Sequence, residues 1–216
     1  MRSSDEVPTA NIVPTSAALT QMLNEKPACW RFAAFASVLF QRWAAVEERR
    51  VRVVLGCRAD PSQRLGTHRQ VALVVLEYLR AGDNLVKEVD VFMRAPTFMG
   101  VFGDPSDEST ADADGIVRVA HRLMDFYERL LELAEQCRDC SVPTRYAELL
   151  RECAQLMNVP LRDFGDFIDG VLVRFEELRA NVARGLDDVW LEPVPLRTTT
   201  DDHLIWSILD RLNEID

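Results

Sequence analysis

Lysine is almost missing from this chain: of 25 basic residues only Lys26 and Lys87 are lysine. The skew is that of GC-rich coding, and it bears on origin, not on mechanism. Positive charge as a whole is short, with 35 acids against 25 bases and a formal net charge of −10. General binders of nucleic acid or anionic membrane need a basic face, so both classes are disfavoured. Histidine occurs three times, at 68, 121 and 203. None falls in the His-x-x-x-His or Glu-x-x-His pairs that metal-binding bundles place on facing helices. Glycine is sparse, with nine residues and no Gly-rich phosphate loop, and a Gly-x-Ser-x-Gly elbow is missing. The most hydrophobic run, Phe32 to Phe40, is too short to span a bilayer and is bracketed by Arg31 and Arg42. Residues 1–6 are polar and acidic, unlike a secretory signal. Five cysteines (29, 57, 137, 140 and 153) without such a signal imply reduced thiols. These absences predict a cytoplasmic protein that neither inserts into membranes nor binds nucleic acid.

What is present is helix-forming periodicity. The 216 residues are 48% apolar and 28% charged, a globular composition with enough chain for a substantial core. Residues 1–13 read as a disordered lead and 14–216 as one domain. A short helical pattern through Ala18, Leu19, Met22 and Leu23 ends at Pro27. A long helix follows from about 28 to 56, with Trp30, Phe32, Phe35, Leu39, Trp43 and Val46, although "VRVVL" (51–55) reads equally as a short strand. Further helices are expected from about 67 into the low nineties, at 115–139, 144–157, 161–185 and 202–214. "AGD" at 81–83 is a candidate break, and Pro193 and Pro195 mark the last linker. The expectation is an all-α antiparallel bundle of about four long helices with two or three short flanking ones.

The chain also carries the signs of an internal duplication. Residues 13–56 and 142–185 share ten identities in 44 without gaps. Phe35 meets Phe164, Glu47-Glu48 meets Glu176-Glu177, and Gly56 meets Gly185, each copy being a short helix, a turn and a long helix stopped by glycine. Pro27 and Pro160 fall out of register, and chance matching of two amphipathic helices explains the same identities.

Several stretches invite chemistry and are better explained without it. In "RDFGDFIDG" (162–170), Asp163, Asp166 and Asp169 recur every third residue, yet on a helical wheel they lie opposite Phe164, Phe167, Ile168 and Val171. That places them on a solvated face. The same stretch, through Met157, Leu161, Phe164, Gly165-Asp166 and Ile168, is similar to the groove-binding helix motif of the Bcl apoptosis family. The resemblance covers about a dozen residues, Pro160 stands inside it, and no function is carried over. Asp112, Asp114 and Gly115 fit positions of a calcium loop, but His121 stands where a bidentate glutamate belongs, and helix capping accounts for the acids. "CRDC" (137–140) is a single Cys-x-x-Cys; His121 lies roughly 24 Å from Cys137 along one helix and cannot share a metal with it. No catalytic, cofactor-binding or metal-ligating residue is assigned.

One segment stands out. Residues 94–114 read as a long loop by their glycines and prolines, yet the loop and its approach carry Phe92, Met93, Phe98, Met99 and Phe102. Loops normally run over the surface and are polar. Either this one packs back on the helices as a lid, or it meets a partner or an apolar ligand. The expected function is a non-catalytic protein–protein interaction or regulatory module acting through this surface, with a protein partner or self-association. The alternative is a helical binder of a small apolar ligand, or an enzyme whose polar groups converge only in the fold. An interaction protein predicts a filled core with exposed loop aromatics, and a ligand binder a cavity beneath the loop.

Overall fold

The computed structural model describes residues 27–54, 63–102, 112–185 and 191–215. They form an all-α protein: α1 (Pro27–Val54), α2 (His68–Met93), α3 (Pro96–Met99) running into a 3₁₀ turn (Gly100–Phe102), α4 (Ala113–Arg138), α5 (Thr144–Leu156), α6 (Asn158–Ala183) and α7 (Asp202–Glu214). Two short extended pieces, β1 (Gln63–Arg64) and β2 (Cys140–Ser141), pair in parallel, and the Leu65 amide donates to the Ser141 carbonyl at 2.9 Å. The expected disordered lead, the helical pattern at 14–23 and part of the first duplicated copy lie outside the described residues. The second copy corresponds to α5 and α6.

Seven-residue spacing organises the centre. Phe32, Leu39, Val46 and Val53 on α1 are all buried, as are Ile116, Leu123, Leu130 and Cys137 on α4. The same spacing buries Ala120, Tyr127 and Ala134 completely. A 3.5-residue period keeps one apolar seam facing a partner helix, and α1 against α4 is the most extensive helix contact of the fold. This seam explains why 51–54 is helix and not strand. Val53 continues the stripe begun by Phe32, and burial against α4 overrides its β preference.

α1 and α4 run in the same direction. Arg42 meets Asp125 and Glu128, and Arg49, one heptad on, meets Glu135. The expected antiparallel order describes other pairings instead. Going down α2 from Phe92 to Glu88 goes up α4 from Phe126 to Arg129, and Phe40 of α1 stacks edge-on with Phe175 of α6.

Helix ends follow local chemistry. Thr67 and Gln70 form a capping box on α2. α2 then passes through 81–83 without a break. Gly82 is buried there, leaving room for Met157, whose Cε would come 2.6 Å from an added Cβ, and Asp83 pairs with Lys87 one turn on. Pro160 sits in the first turn of α6, where its missing N–H has no helical acceptor to lose. After α6, residues 191–200 are neither helix nor strand and bury Leu191, then Val194, Leu196 and Thr198 at alternate positions. This strap leads into α7, capped by Asp201 and held to α5 by Ile208, Leu212 and the ion pairs of Arg211 with Glu148 (3.0 Å) and Glu152.

Two interior glycines of α6, at 165 and 170, predict a close helix crossing at each. Neither position has one. Nothing lies within 4 Å of a Cβ built at Gly165, while at Gly170 the neighbour is the strap, with Val194 Cγ1 at 2.7 Å. The two positions therefore separate on substitution. Gly165→Ala should stabilise the protein by about 1 kcal/mol through helix propensity alone. Gly170→Ala should instead destabilise it by about 1 kcal/mol, because a branched side chain must yield. Urea midpoints of the two variants measure the contrast, and equal gains at both sites would refute it.

Candidate functional site

The segment expected as an apolar loop is wound into a plug. Pro96 opens α3, the Ala95 carbonyl accepts from the amides of Phe98 and Met99, and the turn continues as 3₁₀ to Phe102. Phe98, Val101 and Phe102 stand at i, i+3 and i+4, a helical spacing that Gly100 and Gly103 conceal in the sequence. Residues 103–111, the rest of the expected loop, lie outside the described residues. Of the five residues singled out, Phe92, Met93, Phe98 and Phe102 are buried, and Met99 is exposed. The Phe98 ring lies 6.1 Å from Phe35 of α1, 5.8 Å from Phe92 of α2, 5.4 Å from Phe102 and 6.3 Å from Phe167 of α6. The aromatic groups thus face inward.

Outside the plug, between α2 and α4, runs an open groove of about 500 Å³. Lys87, Val91, Phe92, Ala95, Thr97 and Arg122 are among the residues that line it. It continues toward Ala81, Glu132 and Gln136 as a second furrow of about 330 Å³ that shares Asn84 and Glu88. Glu88 accepts from Arg129 at 3.0 Å across the seam. The Arg122 guanidinium lies over two rings, 5.1 Å from the centroid of Phe92 and 5.8 Å from Phe126. This cation–π contact leaves its N–H donors free to bind. Val91, which lines the groove, is 70% exposed, and nearer its N-terminus the outer stripe of α2 also exposes Leu73 and Leu76.

Charged groups on α1 and α4 hold those two helices together. Arg42 donates to Asp125 (2.7 Å), Glu128 and the His121 carbonyl (2.9 Å). Arg49 makes a forked contact with Glu135 at 2.5–2.9 Å, and hydrogen bonding to that carboxylate holds its guanidinium above the ordinary value. These pairs are partly solvated and fix register more than they add stability.

The motifs resolve as structure. Asp112 caps α4, accepting from the Gly115 amide at 2.6 Å. Cys137 is buried with its thiol toward the Leu150 carbonyl, and hydrogen bonding to Cys153, then burial, pushes it well above the ordinary thiol range. His121 and Cys137 ride on one unbroken helix. No three His, Cys, Asp or Glu side chains converge as a metal site among the described residues. Met157, Leu161, Phe164 and Ile168 are buried in the protein's own core, so they present no groove-binding face.

Asp166 and Asp169 are exposed, whereas Asp163 is partly buried. Burial pushes its carboxyl above the ordinary value, against the pull of Arg162 at 3.6 Å. A carboxyl whose folded pKa is raised weakens the fold as pH rises from its unfolded value through the folded one. Asp163→Asn should therefore raise the thermal midpoint at pH 7, and the gain should vanish below the ordinary carboxylate range. A gain that persists at low pH would refute this account.

No family model matches the chain, and neither the curated proteins nor the solved structures give a match. The site rests on its geometry alone. Sequence reasoning missed Arg122, although Arg122 and Phe126 stand at i and i+4, the spacing of neighbours on a helix face. It likewise missed the matching heptad steps of Arg42 and Arg49 with Glu128 and Glu135.

Proposed function

We propose that this is a non-catalytic interaction or regulatory module that engages a protein partner through the α2–α4 groove and the outer stripe of α2. The supporting observation is the groove itself, open to solvent and lined by the apolar residues Val91, Phe92 and Ala95, with Leu73 and Leu76 exposed further along α2. Surface apolar residues gathered beside a groove mark interaction sites. The buried plug moves the functional surface from the phenylalanines to the outer side of the same segment. A charge of −10 and the lack of a basic recognition helix favour a protein partner over nucleic acid. No described helix is long and apolar enough to cross a membrane, and cytoplasmic placement belongs to this proposal through the reduced-thiol reading of the cysteines. A second reading, binding of a small apolar ligand, draws on the groove volume, which lies within the usual range for ligand sites. Light scattering and native mass spectrometry on protein purified from its source separate the two. A stable second protein or a dimer supports the module; a monomer carrying a small-molecule adduct overturns it in favour of the ligand reading.

A further inference from the structure

Within the groove the charges are unevenly matched. Lys87 pairs with Asp83 at 2.6 Å and Glu88 with Arg129 at 3.0 Å. Arg122 makes no hydrogen bond or ion pair to any described residue, and its contacts are the two phenylalanine rings. A guanidinium drawn to aromatic faces keeps its N–H donors and offers a forked pair of them to a carboxylate. Beside the apolar floor, Arg122 is thus the basic group of the groove that has no carboxylate partner among the described residues.

The groove is also long. From Ala81 to Phe92 the two furrows follow α2 for roughly 17 Å, the span of about 11 helical residues. Its open, elongated shape suits a peptide segment laid along the seam better than an enclosed small molecule.

The geometry points to a docking site for an acidic, apolar segment of a protein partner, its carboxylate received by Arg122 and its apolar side chains resting on Val91, Phe92 and Ala95. This rests on the reading of the protein as an interaction module and names the chemistry of its partner. The segment lies so that an Asp, Glu or chain-terminal carboxylate reaches the Thr97 and Arg122 end of the groove.

The test is unbiased selection. Random-sequence peptides of about 11 residues, displayed on phage, are enriched on the full-length protein and then compared on two variants. Arg122→Gln keeps the stem over the rings and removes the charge; Arg122→Lys keeps the charge and loses the fork. The expected result is enrichment of peptides that combine Asp or Glu with aliphatic or aromatic residues. Their binding should fall about tenfold or more on Arg122→Gln, fall less on Arg122→Lys, and weaken as salt is raised. An unchanged thermal midpoint in both variants shows that the fold is intact. No enrichment, enrichment of peptides without acids, or equal binding to Arg122→Gln would overturn the proposal. Binding of 4-phenylbutyrate at the Arg122 N–H signals as tightly as the selected peptides would assign the site to free organic acids, which overturns it also. Failure of the broader reading shows in the oligomer and adduct measurements, so the two failures are distinguishable.

Discussion

Replacing Phe98 with alanine should cost about 3–5 kcal/mol of stability, the range for deleting a fully buried aromatic side chain. Phe98 is 1% exposed and its ring touches rings from α1, α2 and α6 together with its own neighbour Phe102. The space left behind is bounded by side chains on long helices whose axes are fixed elsewhere, so it cannot close. Met99, the next residue, provides the internal control: it is 38% exposed, and Met99→Ala should change stability by about 0.5 kcal/mol or less. Equilibrium unfolding in urea measures both. Were Phe98→Ala as mild as Met99→Ala, residues 96–102 would be a surface turn and not a plug.

Leu130→Ala should destabilise by about 2–5 kcal/mol. Leu130 has no exposed surface and stands midway along the buried stripe of α4, between Leu123 and Cys137. α4 packs against α1, α2, α5 and α6, and a void at its centre is felt by all of them. The loss should come as a lower urea midpoint with an unchanged slope, since the surface exposed on unfolding stays the same. A loss below about 1 kcal/mol would mean that the helices around α4 can move in to fill the space.

The helices themselves were legible, because each buries one stripe and the stripe is written at helical spacing. The helix expected at 115–139 spans Ala113–Arg138, and the terminal one expected at 202–214 spans Asp202–Glu214. Two of the three acids of "RDFGDFIDG" are legible as well, with Phe164 and Phe167 in the core and Asp166 and Asp169 in water, while Asp163 is partly buried. What escaped depends on residues far apart in the chain. The winding of 96–102 follows from the pocket that receives Phe98, not from propensity, since Pro96 and Gly100 alone favour a loop. The partner of Gly170 is a non-helical strap that arrives more than twenty residues later. The groove is lined by residues 84–97 together with Arg122 of α4, which only the fold brings together. No local pattern marks that, although the Arg122–Phe126 pair lay in plain view.

The parallel pairing of α1 with α4 bears on how this chain folds. Two parallel helices cannot arise as a hairpin, and the Arg42–Glu128 and Arg49–Glu135 contacts each close 86 residues of chain. The Cys137–Leu150 contact between α4 and α5 closes 13. Loop entropy grows by about 0.6 kcal/mol for each doubling, so the α1–α4 contacts carry roughly 1.6 kcal/mol more closure entropy than their local counterpart. The most extensive helix contact in the molecule is therefore among the least local, which raises contact order and slows folding relative to an up-and-down bundle of equal size. Until that contact closes, the stripe from Phe32 to Val53 lacks its principal cover.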